Sequence, residues 1–188
     1  ELLNFCTVDL SAFYFDIRKD VLYCDAKNSE KRNSCIILLN IILESLLKWF
    51  APILSFTTEE IFKLISQNKK SIHLERFIEF PKFFENKKLN EKWIELKKIR
   101  DICNISIEAK RSSKEIGSSL EANLIISLNK KLFETTQDID FSELCITSKA
   151  KIKKHRLDET NVITEKAKGN KCPICWKINE STCERHST

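Results

Sequence analysis

CIILLNIILESLLKWFAPILSFTTEEIF, residues 35–62, decides how this chain folds. From Cys35 to Phe50 the run is apolar nearly all round. It predicts a helix from about Glu30 to Phe50 that is buried on most sides, Leu43 included. The polar exceptions Asn40, Glu44 and Lys48 recur every four residues and form one narrow stripe, with Glu44 and Lys48 in the favourable i,i+4 order. Pro52 ends this helix, because it lacks an N–H and its ring clashes with the previous turn. A second helix is expected from Thr58 to about Ile65. Thr57 would be its N-cap, Glu60 would complete a capping box, and Phe56 and Ile61 would form a hydrophobic staple. The stretch is core without chemistry, and its value is architectural: such a helix needs other helices to cover it.

The 188 residues suit one or two domains, and 42% hydrophobic residues suffice for a real core. There is no run of 18 or more apolar residues and no signal-like leader before Glu1. The absence of methionine, even at position 1, suggests a piece of a longer protein. Five of the eight cysteines (Cys6, Cys24, Cys35, Cys103, Cys145) are scattered among apolar residues and read as small buried hydrophobes. The other three crowd into the tail, which fits a reducing compartment and one metal site better than a disulfide framework. The net charge of +5 is uneven: up to Cys145 there are 22 basic and 22 acidic residues, and from Ile146 onward 10 basic and 5 acidic. An anionic partner would therefore meet the C-terminal part.

Along the chain, Glu1 to Ile17 reads as a helix, with Phe5, Leu10, Phe13 and Ile17 on its apolar face, leading into an extended corner at Val21–Cys24. Gln67 to Ser71 is a polar loop, Ile72-His73-Leu74 alternates weakly and reads as extended, and Phe80 to Phe84 is a connector. A long amphipathic helix runs from Leu89 to about Ile116, with Gly117 as its C′ residue. Strand-like segments follow at Asn123–Leu128, Leu144–Lys153 and, more weakly, Asn161–Lys166, with a short helix and loop at Phe133–Ser142. The fold class is mainly α: a helical bundle over 1–117, a small α+β piece over 118–168, and a C-terminal cysteine module over 169–188.

Several segments in order, NFCTVDLSAFYFDIRKDVLYCD (4–25), WFAPILSFTTEEIF (49–62), SIHLERF (71–77), EAKRSSKEIGSSLEA (108–122) and the terminal KCPICW, make the chain similar to the C-terminal region of bacterial-type isoleucyl-tRNA synthetases. The WFAPILSFTTEEIF type is shared with the valyl, leucyl and methionyl enzymes, whereas IGSSLEA and the terminal module point to the isoleucyl family. The resemblance implies a helical anticodon-binding domain, then a small mixed domain ending in a zinc module. It implies a parent that joins isoleucine to its tRNA with ATP, in the cytoplasm and as a monomer, with no membrane partner. The ATP-binding signatures and the editing domain of that family are absent from this sequence, so the piece is expected to catalyse nothing alone.

The strongest chemical signal is the tail. Cys172 and Cys175 form C-x-x-C, and Cys183 and His186 form C-x-x-H after seven intervening residues. Two short chelating turns supply the four soft or borderline ligands that a tetrahedral zinc ion takes. The family pattern has a second C-x-x-C and a longer spacer, so His186 and the short spacer are departures, and a decayed site is the alternative. Trp176 is either a platform for an unstacked base or the knuckle's miniature core. Lys149, Lys151, Lys153, Lys154 and Arg156 either line an RNA backbone or protect a solvated edge strand. Lys110, Arg111 and Lys114 are further RNA candidates, against a solvated helix face. No acid–base or nucleophile constellation appears, and two isolated glycines cannot build a phosphate loop. The reading is tRNA recognition within an isoleucine–tRNA ligase, with one zinc ion here and ATP used by a catalytic domain elsewhere in the parent. A stand-alone, non-enzymatic zinc-containing RNA-binding protein, or a purely structural helical domain, are the other readings.

Overall fold

The computed structural model describes residues 1–66, 70–156 and 159–186. Its chain falls into two compact units, one made of Glu1–Cys24 with Asn86–Thr188 and the other of Asp25–Glu85. Compactness thus groups the chain differently from the ranges 1–117, 118–168 and 169–188. The cause is the long helix, whose apolar face shares a core with the sheet that follows it.

The first unit begins with a continuous helical segment: α1 (Leu2–Asn4), a π-wound run (Phe5–Phe15) and α2 (Asp16–Cys24). The corner expected at Val21–Cys24 is helical, because Val21 is buried on the face continued from Leu10 and Ile17. The long helix α5 (Lys87–Ser112) starts at Asn86, whose side chain accepts from Leu89 N at 3.0 Å. It presents Leu96, Ile99, Cys103 and Ile107 inward, at helical spacing. It stops earlier than the sequence suggested: the left-handed residue past its end is Lys114 (φ 60°), and Gly117 instead donates its N–H to Glu121 Oε2 at 2.9 Å.

Strand β1 (Ala122–Leu128) is central, between a parallel β2 (Lys149–Lys154) and an antiparallel β3 (Asn161–Lys166). The parallel pair is joined through α6 (Lys130–Thr136) and α7 (Phe141–Leu144), capped by Asn129 and Asp140. Alternate residues of a strand face opposite sides, so Ala122, Leu124, Ile126 and Leu128 all enter the core with the α5 face. Phe13 meets Trp93 edge to face at 6.0 Å, and Arg100 donates to Leu144 O at 2.9 Å, tying the first helix and α7 to α5.

In the second unit, α3 (Glu30–Phe50) has the bounds that the sequence suggested, with Ser29 as N-cap and a Lys48–Glu44 ion pair at 2.6 Å. Its burial is far less complete than the apolar run implied. Only Cys35, Ser45 and Leu47 are buried, while Ile37, Leu38, Ile41 and Leu43 are exposed, Leu43 at 37%. By length and composition α3 is apolar enough to cross a membrane, a test that core helices of soluble proteins also pass. Helix α4 (Ser55–Ile65) begins a turn before Thr58, so the capping box and staple do not form: Thr58 Oγ1 bonds back to Leu54 O at 2.9 Å, and Phe56 is 93% exposed. The acid that matters is Glu59. It accepts from Ser71 Oγ and Ile72 N, both at 2.9 Å, and pins the 3₁₀ turn Ile72–Leu74, which replaces the extended segment expected there. Its hydrogen bond with Lys63, then those from Ile72 and Ser71, lower its pKa to about 2. Leu47, Ala51 and Ile72 form this unit's small core, with Ile61 and Phe62 against it. The loop expected at Gln67–Ser71 lies partly outside the described residues.

Candidate metal centre and nucleic-acid interface

The tail folds as a two-stranded hairpin, β4 (Asn170–Lys171) with β5 (Ile178–Asn179), whose connection carries the first cysteine pair. Gly169 makes the hairpin possible: its φ is 122°, and a Cβ there would lie 2.1 Å from Asn179 O. The turn closes through Trp176 N to Cys172 O (3.0 Å) and Cys172 N to Lys177 O (2.9 Å). Backbone amides of Cys175 and Ile174 point at the Cys172 sulfur and help bring its thiol down to about 6. Burial pushes Cys175 up to about 11.

The ligand atoms of Cys172, Cys175, Cys183 and His186 all lie within 4.8 Å of one another. Bond lengths of about 2.3 Å to sulfur and about 2.0–2.1 Å to nitrogen give a tetrahedron with edges of about 3.8 Å (S···S) and about 3.5 Å (S···N). The observed Cys175–Cys183 sulfur separation is 3.8 Å, and both Cys172 Sγ and Cys183 Sγ lie 3.5 Å from His186 Nδ1. The other ring nitrogen, Nε2, donates to Cys24 O at 2.9 Å, which leaves Nδ1 with its lone pair toward the sulfurs. The same carbonyl raises the His186 pKa. Donor set and spacing therefore fit a tetrahedral metal ion, and His186 completes the group despite the short spacer.

Trp176 does not serve as a miniature core. It is 57% exposed, with Lys171 Nζ 5.2 Å from its ring centre, and it holds φ 64°, a left-handed conformation that is unfavourable for a bulky residue. Lys149, Lys151 and Lys153 are exposed on one face of β2, while Ala150 and Ile152 pack against the core. β2 is an edge strand, so both readings of these lysines keep their geometric basis. Lys154 and Arg156 are exposed beyond them. At the end of α5, Lys110 is paired with Glu115 at 2.7 Å and Arg111 with Glu108 at 2.8 Å, while Lys114 is exposed.

Ser148 joins these elements, and nothing in the sequence singled it out. Its N–H bonds to Ala122 O at 3.1 Å, its hydroxyl donates to Leu120 O, and the same oxygen accepts from Ile178 N at 2.6 Å. The knuckle is thereby seated at the start of β2, beside Lys149 and the segment that follows α5. Cys24 is not the buried hydrophobe that the sequence suggests: it is half-exposed, and its thiol and carbonyl both meet the tail. Contacts across so many residues leave no local trace in sequence.

Over residues 1–126 the chain matches the family described as the anticodon-binding domain of tRNA ligase, and it belongs to that family. It is 71% identical over 187 residues, essentially its whole length, to an isoleucine–tRNA ligase of Pelagibacter ubique. It is 42% identical over 95% of its length to that of Methylacidiphilum infernorum and 38% identical over 97% to that of Bradyrhizobium diazoefficiens. The chain spans about a fifth of the length of these relatives.

Proposed function

We propose that the chain is the tRNA-recognition part, in the C-terminal region, of a cytoplasmic, monomeric isoleucine–tRNA ligase. Its ATP-dependent chemistry would occur in another domain, and its nucleic-acid partner would be the isoleucine acceptor tRNA. In this reading 1–117 and 118–168 form the RNA-facing scaffold. The module 169–188 holds one zinc ion through Cys172, Cys175, Cys183 and His186. Lys149, Lys151, Lys153, Lys154 and Arg156 hold the phosphate backbone, with Lys114 and, more weakly, the paired Lys110 and Arg111 beside them. Trp176 stacks on an unpaired base. The observation that carries the reading is the Ile178–Ser148 hydrogen bond, which seats the Trp176 knuckle at the start of the lysine strand. Ligase relatives that match over 97% or more of the chain favour this over a stand-alone RNA-binding protein.

Affinity of the chain for isoleucine tRNA should fall steeply with salt, through counterion release. Joint replacement of Lys149, Lys151 and Lys153 by Ser should flatten the log–log slope by about 2–3, each lost phosphate contact removing about 0.7–0.9. An unchanged slope would assign these lysines to edge protection alone, and equal binding of an unrelated tRNA would count against isoleucine specificity.

Trp176→Gly separates stacking from folding. Glycine relieves a left-handed strain of about 1–2 kcal/mol, so the metal-loaded knuckle should be at least as resistant to unfolding. Binding of the anticodon stem-loop should weaken by about 1–3 kcal/mol, the value of one stacked base. Weaker metal binding with unchanged RNA affinity would make the ring a packing element.

A further inference from the structure

Four hydrogen bonds attach the cysteine knuckle to the end of α2. Arg185 Nη1 bonds Asp20 Oδ2 at 2.5 Å and its Nη2 donates to Asp20 O at 3.2 Å. The next residue, His186, donates from Nε2 to Cys24 O at 2.9 Å. The Cys24 thiol, in turn, donates to Ile174 O at 3.7 Å, between the first two metal-ligating cysteines. Cys24 is the last residue of α2, and the last four carbonyls of a helix have no N–H four residues on to receive. Helix α2 has no basic residue in its last turn, so the complement to its negative end comes from the tail, as the cation of Arg185 and the ring N–H of His186.

We infer that Arg185 and Asp20 are positioning residues of the metal centre, holding His186 against the end of α2 so that metal retention and the order of residues 20–24 are coupled. The inference rests on the reading that Cys172, Cys175, Cys183 and His186 bind a metal. Without the Arg185 fork, a short spacer and a single histidine leave the fourth ligand on the last turn of a tail. With it, the residue just before the ligand is fixed at two points, and the Arg185 and Asp20 side chains are only 28% and 22% exposed. Ligand orientation by groups outside the coordination shell is a general requirement of metal sites. The coupling is reciprocal: the factor by which the clamp favours metal is the factor by which metal favours the ordered helix end.

The test uses the full chain loaded with zinc. Transfer of zinc to a chromophoric chelator should be about fivefold faster in Arg185→Gln and in Asp20→Asn, the size expected from one partly buried pair. Chelation of the wild type should speed amide hydrogen exchange at residues 20–24 and leave residues 96–107 of α5 protected, which separates a local release from global unfolding. Release rates equal to wild type in both variants, or unchanged exchange at residues 20–24 after chelation, would overturn the clamp while the metal site stands. A wild-type chain with no bound zinc would overturn both.

Discussion

Cys175→Ala should empty the metal centre and disorder residues 170–186, while β1–β3 and α5 stay folded. The hairpin's two strands are two residues each, too little to hold without the ion. Structural zinc contributes apparent binding of about 10–16 kcal/mol at pH 7, which in such modules is folding free energy. The loss therefore exceeds anything that the contacts at Ser148, Asp20 and Cys24 can supply. The first unit's main core shares none of the four ligands, which confines the damage. In the ligase proposed as parent, the variant should lose aminoacylation and keep amino-acid activation. Elemental analysis decides the first point: protein purified without chelators and lacking stoichiometric zinc would refute the site. Equal losses of ATP–pyrophosphate exchange and aminoacylation would refute the assigned role, since the module would then support the catalytic fold.

Ile126→Asp should unfold the first unit. Ile126 is 0% exposed in the middle of the central strand, among residues of α5, α7 and both neighbouring strands. A carboxylate there has no partner, and burying an unpaired charge costs more than about 4–5 kcal/mol, a large part of a domain's stability of about 5–15 kcal/mol. Ile126→Val, which removes one methyl group, should cost about 0.5–1.5 kcal/mol and serves as the control. Leu43→Asp should be mild, within about 1 kcal/mol, because Leu43 already meets solvent. Circular-dichroism melts of the three variants check this. An unchanged melt for Ile126→Asp, or a collapse for Leu43→Asp, would show that the core has been located wrongly.

That contrast shows what the sequence could and could not disclose. Apolar continuity from Cys35 to Phe50, with Pro52 beyond it, marked α3 from about Glu30 to Phe50, because helix bounds depend on local signals. Which face of α3 is covered depends on packing partners, and the apolar run overstated it. The sheet was legible for the same local reason at Asn123–Leu128 and Asn161–Lys166, whereas the strand expected over Leu144–Lys153 starts only at Lys149, because Leu144 is the last residue of α7. The α4 start was misplaced by one turn because a plausible capping box competed with chain direction after Pro52, and the latter prevailed. That Cys172, Cys175, Cys183 and His186 come together was legible because their two pairs have the short spacing of metal-binding turns. Their setting was not, since Asp20, Cys24 and Ser148 reach the tail from far away in the chain.

The first unit is built from two separated stretches, residues 1–24 and 86–188, with a whole second unit threaded between them. During synthesis, chain segments emerge and fold in order, and contacts between distant residues wait for loop closure. Residues 25–85 form a continuous stretch and can collapse as soon as they leave the ribosome. Phe13 and Ile17 have to wait for α5, and β1 waits with both edges open until residues 149–166 arrive to flank it. Asp20 and Cys24 wait longest, for Arg185 and His186 of the tail. Of these stretches, the one that leads in chain order is thus among the last to find its partners.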